Sequence, residues 1–212
     1  MSCSCGLDLR RPFHLALLAG AGLVITSAAL VATSQPDAAQ PEMTAEEKAW
    51  MEAGSPGEMH KRLEPMVGTF DAAMKFWMAP GEPPMEASGV AVNTWILDGR
   101  FLRCDFTSDM MGMQFVGIGF TGYDNAAKTF VGSWMDNVST AILNHKGKAG
   151  DSPRVIEMKG EFTDPSGAVT KDRHHTRIIS NDQHFFEMFH TGPDGAEVKV
   201  MEITYTRKDA GH

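Results

Sequence analysis

The sequence predicts an all-β domain: an antiparallel up-and-down barrel of about ten strands, preceded by one or two short helices and an N-terminal export signal. From residue 67 onward, apolar side chains recur at every second position, which is the period of a strand with one buried face. Turn-forming residues follow about every 10 to 15 positions. No apolar pattern of helical length interrupts the series, so the crossovers of a parallel sheet are missing. A barrel leaves no exposed strand edges, and a two-sheet sandwich is the alternative.

Length and charge limit the class of protein. The chain has 212 residues, which suits one domain with a tail. Its 27 acidic and 19 basic residues give a formal charge of −8, whereas a nucleic-acid-binding surface normally carries an excess of positive charge. We therefore expect no nucleic-acid partner. Three cysteines are too few for a small fold held together by disulfides.

The N-terminal segment has the layout of an export signal. Arg10 and Arg11 precede an uncharged apolar run at residues 15–32, and two small-x-small cleavage sequences end at Ala29 and Ser34. An uncleaved membrane anchor is the alternative, because the run reaches the lower length limit for a bilayer span. Both interpretations place the rest of the chain outside the cytoplasm, in the periplasm, the cell envelope or the medium, with this segment as the only membrane contact.

Short helices are predicted ahead of the barrel. Thr44 and Glu47 form a capping box, which predicts a helix over residues 45–53. Pro56 suits the first position of a second helix that runs to about Leu63. The predicted organisation is therefore a signal peptide or anchor, a linker, the short helices and the barrel, at residues 1–34, 35–43, 44–63 and 64–208.

Strand boundaries follow from the turn signals, of which Asp98-Gly99 is a two-residue hairpin sequence. The segments between these signals are connected by short turns, so consecutive strands are expected to pair. We expect the ten strands at about residues 67–78, 86–97, 100–110, 113–123, 128–135, 139–147, 154–163, 168–179, 183–190 and 196–207.

Four separated motifs stand out in the part that follows the signal. They read LEPMVGTF at 63–70, WILDGRFL at 95–102, GFTGYD at 119–124 and VMEITYT at 200–206. In this order they resemble the family called domain of unknown function 1579, and the resemblance spans about residues 44–208. It implies a single exported or cytosolic β-barrel domain, with no established activity and no functional residue to carry over.

The first and last predicted strands more loosely resemble those of calycin barrels, the architecture of lipocalins and fatty-acid-binding proteins. Those barrels carry Gly-x-Trp on the first strand and a basic residue on the last strand that packs over the ring. Here Gly68, Phe70 and Arg207 stand at the matching positions, with Phe in place of Trp. This resemblance implies the fold and not the function.

Aromatic and methionine residues predict an interior that suits a small apolar molecule. Because no catalytic constellation accompanies them, the leading hypothesis is non-catalytic binding of such a ligand inside the barrel. A structural or interaction module with a closed core is an alternative. The candidates for the ligand pocket are aromatic and acidic side chains, namely Phe70, Trp77, Trp95, Trp134, Glu187, Glu202 and Tyr205.

Glu187 and Glu202 lie among apolar neighbours on their predicted strands. A carboxyl group in apolar surroundings has a raised pKa and could bind or transfer a proton. The alternative is an internal ion pair with Arg103, Arg173 or Arg177.

A metal- or haem-binding protein or enzyme is the second functional hypothesis. Soft thioether ligands outside the cytoplasm suit copper(I), and Met110, Met111 and Met113 form a local group of methionines. The alternative is that these methionines fill an irregular interior. The sequence identifies no cofactor.

Histidines are the other candidate ligands. His174, His175, His184 and His190 fall on two adjacent predicted strands, but the first two point to opposite faces and the last two are about 20 Å apart. No further Cys or His completes the spacing of a zinc site. Haem ligation by one interior histidine is conceivable, and a surface or hydrogen-bonded role is expected for each. Cys104 is expected to be an inert buried thiol.

Overall fold

The structure, a computed structural model, describes residues 42–110, 112–150, 152–192 and 194–208. Two α-helices, α1 and α2, and a 3-10 helix come first, at Ala45–Ala53, Glu58–Lys61 and Glu64–Met66. Ten strands, β1 to β10 in chain order, follow at Gly68–Phe76, Met85–Ile96, Phe101–Met110, Met113–Asp124, Thr129–Asp136, Leu143–Lys148, Val155–Thr163, Val169–Ile178, Gln183–Thr191 and Glu197–Arg207. The predicted signal or anchor, and all but the last two residues of the predicted linker, lie outside the described residues.

The ten strands form one closed antiparallel barrel. Each strand pairs with its neighbours in sequence, and β1 pairs with β10 to complete the ring. The predicted up-and-down barrel is therefore confirmed, and the sandwich alternative is wrong. In the part of the chain that the structure describes, no helix is long and apolar enough to cross a bilayer.

Two elements start two or more residues later than the sequence predicts. The second helix begins at Glu58 and not at Pro56, because the backbone N–H of the preceding residue donates to Nδ1 of His60 over 3.0 Å and caps the helix there. The sixth strand, predicted to start at residue 139, begins at Leu143, because residues 137–142 form a loop. The Asn137 side chain makes two hydrogen bonds with the backbone of β4, and β5 ends at the residue before Asn137.

The helical segments cover one end of the barrel, called the helical end below. Leu63 and Phe130 are fully buried there. The Arg62 guanidinium donates to the Pro153 carbonyl over 3.1 Å, which ties the helices to the β6–β7 connection. The opposite end, called the loop end, consists of hairpin loops in the described residues. The buried apolar side chains of the helical end are Leu63, Leu102, Phe130, Ile156, Met158 and Ile178.

One arginine packs across the closure between β1 and β10. The guanidinium carbon of Arg207 lies 4.6 Å from the centre of the Phe70 ring, and its Nη1 donates to the Val67 carbonyl over 2.8 Å. Gly68 makes room for this contact, since its φ of 122° favours glycine and a Cβ there would collide with Arg207. The packing that the calycin resemblance implies is therefore present, with a phenyl ring in place of indole.

The ladder between β6 and β7 is the shortest in the barrel. These strands pair at His145 with Gly160 and at Lys146 with Lys159, whereas every other neighbouring pair is joined over six or more positions. The polar part of the barrel interior lies beside this seam.

Candidate functional site

Polar side chains occupy the barrel interior between β6 and β9. In the strand register, His145 of β6 lies opposite Gly160 of β7, Gly160 opposite Asp172 of β8, and Asp172 opposite His190 of β9. His174 follows Asp172 by two positions and therefore shares its face of β8. Three of these residues, His145, Asp172 and His174, bring ligand atoms within 4.8 Å of one another.

These three side chains, called the His–Asp cluster below, form a compact buried group. Oδ2 of Asp172 is 2.7 Å from Nε2 of His145, with which it shares a hydrogen bond, and 3.0 Å from Nε2 of His174. The two imidazole rings stack with their centres 3.8 Å apart. The exposed fractions of the side chains are 4% for His145, 2% for Asp172 and 11% for His174, so the cluster is largely shielded from bulk water.

Two polar atoms of the cluster lack a hydrogen-bond partner within the described part of the chain. They are Oδ1 of Asp172 and Nε2 of His174, and both are buried. The histidine nitrogen lies near Oδ2 of Asp172 but out of line for a hydrogen bond. The described residues therefore satisfy the cluster incompletely, and each unpaired buried polar atom costs about 1–3 kcal/mol.

Burial and charge act in opposite directions on the cluster. Burial would raise the pKa of Asp172, but the hydrogen bond with His145 and the nearby imidazole of His174 outweigh burial and hold that pKa well below its usual range. Burial lowers the pKa of His174 despite the adjacent carboxylate. At neutral pH, Asp172 is therefore ionised and His174 is neutral, which are the protonation states in which carboxylate and imidazole groups can coordinate a metal ion.

Gly160 provides the space through which His145 reaches Asp172. Strand β7 lies between β6 and β8, so the imidazole has to cross it. A Cβ at position 160 would be 2.6 Å from Cδ2 and 2.9 Å from Nε2 of His145. The close approach therefore requires glycine at this position.

A cleft of about 710 Å³ lies at the loop end. It is bounded by the β1–β2, β7–β8 and β9–β10 loops, and its apolar lining includes Trp77, Met78, Val198 and Val200. His190, the residue opposite Asp172 in the register, also lines the cleft. The cleft therefore extends to the residue that pairs with Asp172 of the His–Asp cluster.

The other predicted aromatic pocket residues pack inside the barrel. Phe70 is fully buried, and the ring centres of Phe70 and Tyr205 lie 4.7 and 4.4 Å from that of His184. Trp95 packs against the apolar side chains of the helical end. Trp134 packs against a second buried apolar group, which includes Met74, Phe106 and Ile203. Trp77 is thus the predicted pocket residue that lines the loop-end cleft.

Glu187 and Glu202 lie on the outer face of the barrel, opposite each other on β9 and β10. The residue before Glu187 packs in the core, so strand alternation points Glu187 outward. Nζ of Lys199 lies 2.7 Å from Glu202 and 3.4 Å from Glu187, and Arg177 is 3.9 Å from Glu187. Burial would raise the pKa of Glu187, but hydrogen bonds from His175 and Lys199 keep it below its usual value. These acids form ion pairs outside the barrel and do not line its interior.

The sulfur-containing candidates are distributed as follows. Met110 and Met113 face each other at the ends of β3 and β4, and Met113 is 63% exposed. Met111 lies outside the described residues. Burial raises the pKa of Cys104 to about 12, so its thiol is protonated at neutral pH, which agrees with the expected inert role.

The sequence interpretation missed Asp172 and His145 as partners of His174. The Asp-x-His spacing on β8 places two ligand types on one face, and this local signal was available. The third member of the cluster, His145, comes from β6, two strands away, so only the barrel register brings it into place. The expectation that no Cys or His spacing completes a four-ligand zinc site is not tested by this group, which has three members, one of them an aspartate.

Comparison with known proteins places the fold and the family. The crystal structure of Rv2717c from M. tuberculosis is similar, with a TM-score of 0.53 and 12% identity over 73% of this chain and 99% of that chain, a likeness that shows the fold alone. A redesigned beta barrel matches with a TM-score of 0.39 and 15% identity, over 73% of this chain and 99% of that chain. The structure of EF1p2_mFAP2b bound to DFHBI matches with a TM-score of 0.40 and 13% identity, over 71% of this chain and 100% of that chain. The search of curated proteins gave no match. The sequence profile described as Protein of unknown function (DUF1579) matches residues 55–207, and the chain therefore belongs to this family.

Proposed function

We propose that the protein binds a small, mainly apolar molecule at the loop end of its barrel. The loop-end cleft carries this proposal, because its volume of about 710 Å³ falls within the range of small-molecule sites, roughly 300–1,000 Å³. Its lining combines apolar side chains such as Trp77 and Val198 with a few polar groups, among them Lys171 and His190. That composition is typical of sites that bind apolar ligands and orient them through a small number of polar contacts.

The packing of the barrel favours the loop end over the helical end. The helical end is filled by a buried apolar group that includes Leu63 and Phe130, so a ligand would have to displace core side chains there. A second hollow, of about 820 Å³, lies across β10, β1, β2 and β3. It is more open to solvent and is lined by small and polar residues such as Thr107, Ser108 and Thr204. It therefore encloses an apolar molecule less well than the loop-end cleft does.

Binding at the cleft predicts that Met78→Glu weakens the affinity for the uncharged dye N-phenyl-1-naphthylamine by about tenfold or more. Met78 lines the cleft and is 74% exposed, so the substitution places a charge in the site without disturbing the core. The measurement is the increase in dye fluorescence on titration with protein.

Val138→Glu is the matched control. Val138 is 71% exposed and lies in the β5–β6 loop at the same end of the barrel, but it does not line the cleft. We expect it to bind the dye as the unsubstituted protein does. Equal weakening by both substitutions, or no saturable dye binding by the unsubstituted protein, would contradict the proposal.

We also propose that the chain is exported. The support is the sequence itself: an arginine pair, an uncharged apolar run at residues 15–32, and small-x-small sequences ending at Ala29 and Ser34. Protein from the native cells is expected in the envelope or medium, with a mature chain that begins at Leu30 or Gln35, or in the membrane fraction if the segment is retained. Fractionation followed by intact mass measurement tests this, and a full-length cytoplasmic chain would contradict it.

A further inference from the structure

We propose that His145, Asp172 and His174 hold a divalent transition-metal ion inside the barrel. Two imidazole nitrogens and one carboxylate oxygen meet within 4.8 Å. This donor set suits first-row ions such as Zn²⁺ and Fe²⁺. It suits Ca²⁺ and Mg²⁺ poorly, because those ions prefer a complete shell of oxygen ligands.

The hydrogen-bonding pattern favours a metal site over a purely structural cluster. A structural cluster would use the Asp172 carboxylate to accept a hydrogen bond from each imidazole, but only His145 makes one with suitable geometry among the described residues. Nε2 of His174 and Oδ1 of Asp172 are left without a partner, although Asp172 is 98% buried. A metal ion bound to both groups would satisfy the histidine nitrogen and the negative charge together.

The surroundings hold the donors in place before any ion binds. Gly160 leaves the space that the His145 ring occupies, and the ring of Phe186 lies edge-on to His174 with centres 5.0 Å apart. These contacts keep both imidazole rings beside the Asp172 carboxylate, which lowers the cost of bringing the three groups to one ion.

The number of protein ligands determines whether a bound ion keeps an open coordination position. Structural zinc sites usually have four protein ligands, whereas sites with three keep a position for water or another molecule. His190 pairs with Asp172 and also lines the loop-end cleft. A coordination position of this kind therefore lies close to the space proposed for the small molecule. The metal proposal does not depend on that ligand, because metal binding is measured without it.

The test uses untagged full-length protein, treated with chelator and then titrated with Zn²⁺ in competition with a chromophoric chelator. We expect one zinc ion per chain with a dissociation constant below about 1 μM, and a rise of several degrees in melting temperature when zinc is in excess. Co²⁺ in place of Zn²⁺ should give visible absorption bands from nitrogen and oxygen ligands.

Two substitutions and one control identify the ligands. Asp172→Asn keeps the side-chain shape but removes the charge, and His145→Gln removes one nitrogen donor; each should weaken zinc binding by at least about 100-fold and abolish the cobalt bands. His175→Gln is the control, because His175 adjoins His174 on β8 but points to the outer face. It should bind zinc as the unsubstituted protein does.

Two results would overturn the metal proposal. One is the absence of stoichiometric zinc binding by the unsubstituted protein at micromolar concentration. The other is zinc binding that survives both Asp172→Asn and His145→Gln at full strength. If one of these variants does not fold, the other variant and the cobalt spectrum of the unsubstituted protein still decide the question.

Discussion

Replacing Phe130 with alanine is expected to lower the free energy of unfolding by about 3–5 kcal/mol. Phe130 is fully buried at the helical end, and its ring packs edge-on against Tyr123 with centres 5.1 Å apart. The substitution removes this packing and leaves a cavity beside Leu63 and Met158. A closed barrel has little freedom to collapse into that cavity, so most of the cost should remain. Denaturant unfolding followed by circular dichroism measures the difference.

Two further variants calibrate this result. Phe130→Leu keeps part of the apolar volume and should cost clearly less than Phe130→Ala. Val138→Ala, at a side chain that is 71% exposed, should change stability by no more than about 0.5 kcal/mol. A loss below about 1 kcal/mol for Phe130→Ala would mean that the helical end is loosely packed, and it would weaken the argument that ligands reach the barrel from the loop end.

Stability should fall as the pH is lowered from about 6.5 to about 4, and His184 is expected to contribute the largest single share. Burial lowers the pKa of His184 from 6.5 to about 4, with the charge of Arg207 adding to the effect. Between these values the unfolded chain binds a proton at this position and the folded chain does not, so protons favour unfolding. The contribution is complete above pH 6.5 and is lost as the pH falls toward 4, a change on the order of 3 kcal/mol.

His184→Phe isolates this contribution. The imidazole stacks on Tyr205 and meets Phe70 edge-on, so a phenyl ring keeps the contacts but cannot take up a proton. We expect the variant to lose stability less steeply between pH 6.5 and 4 than the unsubstituted protein, whatever its stability at pH 7. Urea unfolding at a series of pH values gives both slopes. Parallel slopes would show that His184 is not the titrating group.

Much of the fold could be predicted from the sequence because local signals set it. Alternation of apolar residues marks each strand, and turn residues such as Asp98-Gly99 mark where strands end, so the number of strands and their order follow. The start of β6 could not be predicted in the same way. The first residues predicted for β6 lie in a loop, because the side chain of Asn137 forms hydrogen bonds with the backbone of β4. These residues are far apart in sequence.

The face of β9 that points inward could not be predicted, since both faces carry aromatic rings. Phe185 and Phe189 lie on the outer face, where the guanidinium groups of Arg177 and Arg173 cover them at 5.4 and 4.1 Å from the ring centres. Cation–π contacts of this kind let large apolar side chains face solvent. Because Glu187 lies between these two rings along the strand, the sequence predicts an acid in the barrel interior. All three side chains lie on the outer face.

The His–Asp cluster could be predicted only in part. Asp172 and His174 share a face by local alternation, but His145 joins them through the register of three strands and the missing side chain at Gly160. Neither the register nor the role of one glycine among 21 is visible in a single sequence. Site residues that depend on pairing between strands are therefore the part that requires a structure.

The short ladder between β6 and β7 has a consequence for how the barrel opens. Few backbone hydrogen bonds join these strands, so local opening should begin there, and amide hydrogens at Lys146 and Lys159 should exchange with solvent before those of the other seams. The His145 side chain spans this seam and holds Asp172 on the far side. The His145–Asp172 hydrogen bond therefore links β6 to β8 across the shortest ladder of the barrel, and its loss should make local opening there more frequent.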